Sequence, residues 1–305
     1  MKENILTFMG AAISERLAAI SPVEFRHATE IRIRVDKPLL VRIKGHERVV
    51  ADGGQPFCPT LFHVRDTMAQ ISQHSFYAFE QELSAGYITL PGGHRVGVAG
   101  QAVISNGAVK SWRYISGLNF RVAHNVVGCA DKILPHVMPG GALRHTMIIS
   151  PPGIGKTTLL RDMVRQIADG GIDRVGATVG LVDERSEVAG SFQGIPQNDV
   201  GIRTDVIDGC PKALAMTMLL RAMSPSIIAV DELGGNDDIR AVDAVLNAGV
   251  TLLCTAHGSS VADVMDNPAL AAMMARRIFQ YFIVLCPCRR IEIFNGRGEL
   301  ICSLE

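Results

Sequence analysis

Residues 145–158 read HTMIISPPGIGKTT, and the fold follows from how this stretch is built. An apolar run from Thr146 to Ile149 stops at Ser150, a Pro/Gly turn follows, then Gly155, Lys156 and Thr157, with a helical pattern from Thr158. Strand, glycine turn and helix in that order make a phosphate-binding loop. A triphosphate requires these residue types. Glycines let backbone N–H groups approach the β-phosphate, an ammonium (Lys156) offsets β/γ charge, and a hydroxyl (Thr157) holds Mg²⁺. The full pattern begins with Gly; here that place is Ser150, a small residue that still ends a strand. The expected nucleotide-holding set is Pro152, Gly153, Ile154, Gly155, Lys156, Thr157 and Thr158, with ATP and Mg²⁺ as the ligands.

Outward from this loop, strand and helix patterns alternate. Strands are expected at 146–149, 178–182, 227–231 and 250–255, with helices at 156–169, 211–223 and 237–248. Such alternation predicts a mostly parallel α/β sheet covered by helices. Three strand ends carry chemistry. SPSIIAVDELGG (residues 224–235) ends an apolar run in Asp231 and Glu232, 75 residues after Lys156. Placed on a strand beside the phosphate loop, Asp231 holds the metal and Glu232 serves as general base towards the attacking water. VGLVDERSE (179–187) ends in Asp183 and Glu184, at the sheet edge where open α/β sheets bind ligands. Asp183 is assigned to the metal and Glu184 to the lytic water. VTLLCTAHG (250–258) brings Thr255 and His257 to the same edge, where a histidine can sense the γ-phosphate.

Lys+Arg and Asp+Glu both number 30, so the net charge is zero and no broad nucleic-acid surface is advertised. The longest apolar runs are too short or interrupted to span a bilayer. The opening MKENILTFMGAAISERLAAI patterns as an amphipathic helix, read as core packing ahead of a membrane or partner surface. Seven cysteines lack a disulfide or zinc pattern and fit reduced thiols. Cys286 and Cys288 flank one proline and read as small buried residues at a strand end rather than a redox pair.

The first third differs from the rest. Residues 1–28 and 61–83 pattern as helix, while 29–50, 84–104 and 115–122 pattern as strands and hairpins. An N-terminal α+β domain is therefore expected over 1–124 and an ATPase domain over 125–305, opening on an apolar helix at Ala130–Met138. The segments Tyr281–Leu285, Arg289–Phe294 and Glu299–Cys302 are expected as a closing antiparallel meander.

With its phosphate loop, acidic box (Val182–Glu187), metal motif (Ile227–Glu232) and histidine box (Thr255–Gly258) in that order, the C-terminal part resembles the type II and type IV secretion ATPases. LLRAMSPSIIAVDELGG is similar to that family's lead into its metal motif, although Asp231 stands where many members have Gly. EIRIRVDKPL, GYITLPGGHRVGVAG, ISGLNFRVA and VDERSEVAG resemble the stage III sporulation protein AA family of endospore formers. The resemblance implies a RecA-like P-loop ATPase preceded by a smaller α+β domain. It also implies a homo-oligomer, a hexameric ring, in the mother-cell cytoplasm. The ring would sit at the membrane through channel proteins of a secretion-like assembly, without a transmembrane segment of its own. In the secretion ATPases arginines close the site, so the resemblance to them makes Arg121 and Arg203 the first candidates, with Arg95 behind them. The competing reading is a nucleic-acid-binding P-loop ATPase, which the balanced charge and the lack of an appended binding domain disfavour. A non-hydrolysing scaffold is weaker still, since a pure binder needs no Glu232. No nucleic-acid partner is expected.

Overall fold

A computed structural model describes residues 5–72, 79–171, 174–287 and 290–304. Contacts within the chain divide it into two units, Met1–His124 and Asn125–Glu305.

In the first unit, alternating apolar side chains build an antiparallel sheet. Its strands are β1 (Ala28–Arg34), β2 (Leu40–Ile43), β3 (His46–Val49), β4 (Tyr87–Leu90), β5 (His94–Ser105) and β6 (Ala108–Arg121), in the order β3-β2-β1-β6-β5-β4. Ile31 and Ile33 fall on one face of β1 because side chains alternate along a strand, and both are fully buried. They pack in one cluster with Val96, Phe120 and the helix residues Ile13, Leu17, Val64 and Met68. Those residues come from α1 (Ala11–Ala18) and α2 (Leu61–Ser72), so the apolar face of the first helix is core. The Pro91-Gly92-Gly93 turn reverses the chain between β4 and β5 with φ of 86° and 74° at its glycines, a region a Cβ disfavours.

The second unit is built on an eight-stranded sheet. Its strands are β7 (Thr146–Ser150), β8 (Val179–Asp183), β9 (Thr204–Asp208), β10 (Ile227–Val230), β11 (Thr251–His257), β12 (Tyr281–Leu285), β13 (Ile291–Asn295) and β14 (Leu300–Leu304). Their order is β9-β8-β10-β11-β7-β12-β13-β14; the first six are parallel and the last two antiparallel. Every residue of β7, β8 and β10 is buried, which explains their near-continuous apolar sequence. Alternation then sorts two cores. Ile148, Leu181, Ala229 and Leu253 face α3 (Lys156–Asp169) through Leu160, Met163 and Ile167. Met147, Ile149, Val230 and Leu252 face α4 (Lys212–Ala222), α5 (Asn236–Asn247) and α6 (Pro268–Ala275) through Met216, Val245 and Leu270. Each of these Ile, Leu, Val and Met side chains contributes about 1.5–3 kcal/mol of burial.

Three features differ from the sequence expectation. The strand carrying Asp231 is not beside the phosphate-loop strand, because β11 pairs with both and lies between them. Thr204–Asp208 is an additional strand; it lies at the sheet edge, is half-buried throughout, and so lacks an apolar run. The expected helix at Ala130–Met138 is a single turn, Leu134–Val137. Pro135 fits only a first helical turn, and Pro139-Gly140-Gly141 follows at once. The expected antiparallel meander is present in β12, β13 and β14, and it continues the main sheet because Tyr281–Leu285 also pairs in parallel with β7. Cys288, half of the Cys286/Cys288 pair, lies outside the described residues.

Candidate active site

Strand β7 delivers the chain to the carboxyl edge of the sheet at Ser150, and α3 begins six residues later at Lys156. Between them Gly153 and Gly155 adopt φ of 78° and 116°. Gly155 is the residue before the helix, and its left-handed turn points the first free N–H groups of α3 into the loop. The N-terminal end of the helix dipole favours an anion there.

Lys156 is buried, and its ammonium donates to Glu232 Oε1 at 3.1 Å. It also lies 3.2 Å from His257 Nδ1. His257 Nε2 is 2.9 Å from the same Glu232 oxygen. The lysine ammonium is 3.3 Å from that Nε2 as well, so it lies against both ring nitrogens. The second Glu232 oxygen accepts from Arg185 Nη1 at 3.2 Å. Burial pushes the Glu232 carboxyl up. The hydrogen bond and charge of Lys156, with the charges of His257 and Arg185, outweigh it and hold the group below its ordinary range.

Asp231 sits deeper. Its Oδ2 accepts from Thr157 Oγ1 at 3.0 Å and its Oδ1 from Thr255 Oγ1 at 2.5 Å. Burial raises its pKa, against the two hydroxyls and Lys156, while the Glu232 charge adds to the rise. Glu232 has φ of 57°, a left-handed conformation that costs a non-glycine residue about 1–2 kcal/mol. Thr255 holds this kink. Its Oγ1 accepts the Glu232 N–H at 2.8 Å and its carbonyl the Leu233 N–H at 2.9 Å.

The acidic box takes a different shape from the one expected. Both oxygens of Asp183 accept backbone N–H groups, from Glu187 at 2.9 Å, Val188 at 3.1 Å and Ala189 at 2.8 Å. Asp183 thereby closes the loop after β8. From behind, the buried Arg161 donates to the carbonyls of Val188 at 2.5 Å and Glu187 at 2.8 Å. Burial lowers the Arg161 pKa, and Asp183 and Asp231 oppose that. Glu184 pairs with Lys212 at 2.7 Å. Asp183, Glu184, Asp231 and Glu232 share a recess of about 10 Å³, near the size of one water.

The fold thus gathers Lys156, Thr157, Asp231, Glu232 and His257, with Asp183 and Glu184 across the recess. Arg203 goes elsewhere. It precedes the first residue of β9, at the amino edge of the sheet, and donates to the carbonyls of Ala168 and Asp169 at the far end of α3. It caps that helix, a favourable place for a cation. Arg121 ends β6 in the first unit, in register with Glu30 and Arg95, and the Arg95 guanidinium lies 3.4 Å from the Tyr87 ring centroid. Sequence reasoning overlooked Arg185 and Arg161 and gave Thr255 too little weight. Arg185 stands directly after the acidic pair in VDERSE, which was a usable signal. Arg161 has none, since its partners are carbonyls of another loop.

A family model described as Sporulation stage III, protein AA matches residues 1–301. The Stage III sporulation protein AA of Bacillus subtilis (strain 168) is 38% identical over 302 residues, covering 98% of this chain and 96% of that protein. Among solved structures, the Legionella pneumophila ATPase DotB matches with a TM-score of 0.61 at 17% identity, covering 97% of this chain and 80% of that one. The pilus retraction motor PilT with bound ADP matches at 0.54 and 17% identity, covering 86% and 75%. The likeness to these structures is one of fold: a RecA-like, mostly parallel sheet preceded by an antiparallel α+β part.

Proposed function

This chain belongs to the sporulation stage III, protein AA family, and we propose that it works as an ATP-hydrolysing motor. The observation that carries the reading is the join of Lys156, Glu232 and His257 above the Thr157–Asp231 pair. Lys156 and the α3 N–H groups bind the β- and γ-phosphates. Glu232, ionised and backed by the fixed Thr255, accepts a proton from the attacking water. His257, half-exposed at the edge, reads the γ-phosphate. The single-water recess beside Asp231 and Glu232 suits a hydrolytic site.

Mg²⁺ fits the donor set. A carboxylate and a hydroxyl, Asp231 and Thr157, stand 3.0 Å apart at the loop, and Mg²⁺ takes few protein oxygens when phosphates and water supply the rest. Held by Asp231 and Thr157, it would offset charge on the phosphate oxygens. Among the described residues no cluster of three or more His, Cys, Asp or Glu is arranged to hold a metal alone. Asp183 is assigned to the loop and Glu184 to the recess.

DotB and PilT are by description an ATPase and a motor with bound ADP. Their fold supports the ATPase reading, and family membership supports a place in sporulation. We further assign the chain to a homo-oligomer, a hexameric ring, in the mother-cell cytoplasm. It would act on a membrane channel assembly through partner proteins, with Arg121 of one copy completing the site of another. Among the described residues no helix is long and apolar enough to cross a membrane. The test is phosphate release from ATP with and without Mg²⁺. Turnover should require the metal and disappear in Lys156→Ala together with nucleotide binding. Equal binding and turnover in that variant would refute the reading.

A further inference from the structure

The amino edge of the same sheet, where β7, β11 and β12 begin, carries an open cavity of about 600 Å³. This lies within the ordinary range for small-molecule sites. It is at the opposite end of the parallel strands from Lys156 and Asp231. Leu143, Ile301 and the body of Tyr281 give it apolar walls, and Arg144, His145 and Gln280 give it polar ones.

The polar groups are matched in character. His145 Nδ1 accepts the Leu252 N–H at 3.0 Å, so that nitrogen carries no proton. With Nδ1 accepting, Nε2–H is the donor of the ring, and burial lowers the imidazole pKa in keeping with that. Gln280 Oε1 accepts the His145 N–H at 2.9 Å, which orients the amide and leaves its NH₂ group to donate. The Arg144 guanidinium makes no hydrogen bond or ion pair with the described residues. Asn295 is committed to its own turn, accepting from Arg297 and Glu299 N–H groups and donating to the Glu299 carboxylate. Glu299 is not among the lining residues, and among the described residues no carboxylate lines the cavity. Apart from the Thr251 and Tyr281 hydroxyls, the uncommitted side-chain polar groups are therefore donors, and one is a cation.

We propose that this cavity binds a small organic anion, a phosphate monoester or carboxylate carried on an apolar or aromatic body. Arg144 and Gln280 grip the anionic oxygens, His145 Nε2–H adds a third donor, and Leu143, Ile301 and Tyr281 enclose the body. The inference does not rest on the ATPase reading.

The test is calorimetric titration of the full chain with phenyl phosphate and, separately, benzoate. Mg²⁺ and ADP are present in excess to fill the phosphate loop. The expected result is one saturable site for at least one probe, with a dissociation constant near or below about 1 mM. Arg144→Gln should weaken it about tenfold or more. Gln280→Glu keeps the acceptor for the His145 N–H but turns the donor into a negative charge, so binding should be lost. Lys156→Ala should bind as the parent does. Binding of phenyl phosphate alone identifies a phosphate monoester, of benzoate alone a carboxylate. No saturable binding of either probe overturns the proposal. So does binding unchanged in both cavity variants, or binding that vanishes in Lys156→Ala.

Discussion

Thr255 shows how little of a working edge rests on the residues that name it. One hydroxyl donates to Asp231 and accepts from the Glu232 backbone, fixing a left-handed glutamate at the end of an apolar strand. Thr255→Val keeps the shape and removes both bonds. It should cost about 1–3 kcal/mol in urea unfolding and lower turnover more than nucleotide affinity. A second residue-scale expectation concerns Asp208, whose Oδ1 is buried without a hydrogen-bond partner among the described residues. Burial raises its pKa to about 6, with the Asp183 charge adding to that and a Ser186 hydrogen bond opposing it. The folded state then holds the proton more tightly than the unfolded one. This contribution is present in full below about pH 4 and is lost as pH rises through about 6. At pH above 7 an ionised Asp208 weakens the fold, so Asp208→Asn should stabilise by about 1 kcal/mol there after allowance for solvent screening. The gain should vanish near pH 4, which urea midpoints at the two pH values can read. Lys156, Asp231 and His257 were legible because their chemistry demands those residue types at strand ends. Arg161 was not, because its partners exist only once the acidic loop folds back on α3.

At the scale of elements, the loop after β8 is the feature that sequence described least well. An aspartate at a strand end reads as a metal ligand, yet three backbone N–H groups occupy the Asp183 carboxylate. Asp183→Asn puts a donor against those N–H groups and should lower stability by about 2 kcal/mol. A ligand role would instead leave stability intact and raise the Mg²⁺ needed for turnover, so urea unfolding alongside a Mg²⁺ titration separates the two. The alternating strands and helices were legible because buried parallel strands must be apolar throughout. The edge strand Thr204–Asp208 was not, since half-burial leaves no hydrophobic run, and strand order was not, since nothing local places β11 between β7 and β10.

At the scale of the whole molecule, each unit closes its own core: Ile31, Val96 and Phe120 in one, Ile148, Leu160 and Leu253 in the other. We therefore propose domains over 1–124 and 125–305. Val126 and Val127 are exposed just past the boundary, and limited proteolysis should cut near them and leave two resistant fragments. If Arg121 acts between copies, the ATPase rate per chain should rise with concentration in step with particle mass, and Arg121→Ala should flatten that rise. The rate and Arg121→Ala expectations presuppose that the edge cuts ATP. The direct measurement is nucleotide affinity and single-turnover hydrolysis in Glu232→Gln. Removing the negative charge that holds Lys156 should leave ATP bound at least as tightly, while hydrolysis slows by about a hundredfold or more. Hydrolysis at the parental rate in that variant would contradict the account.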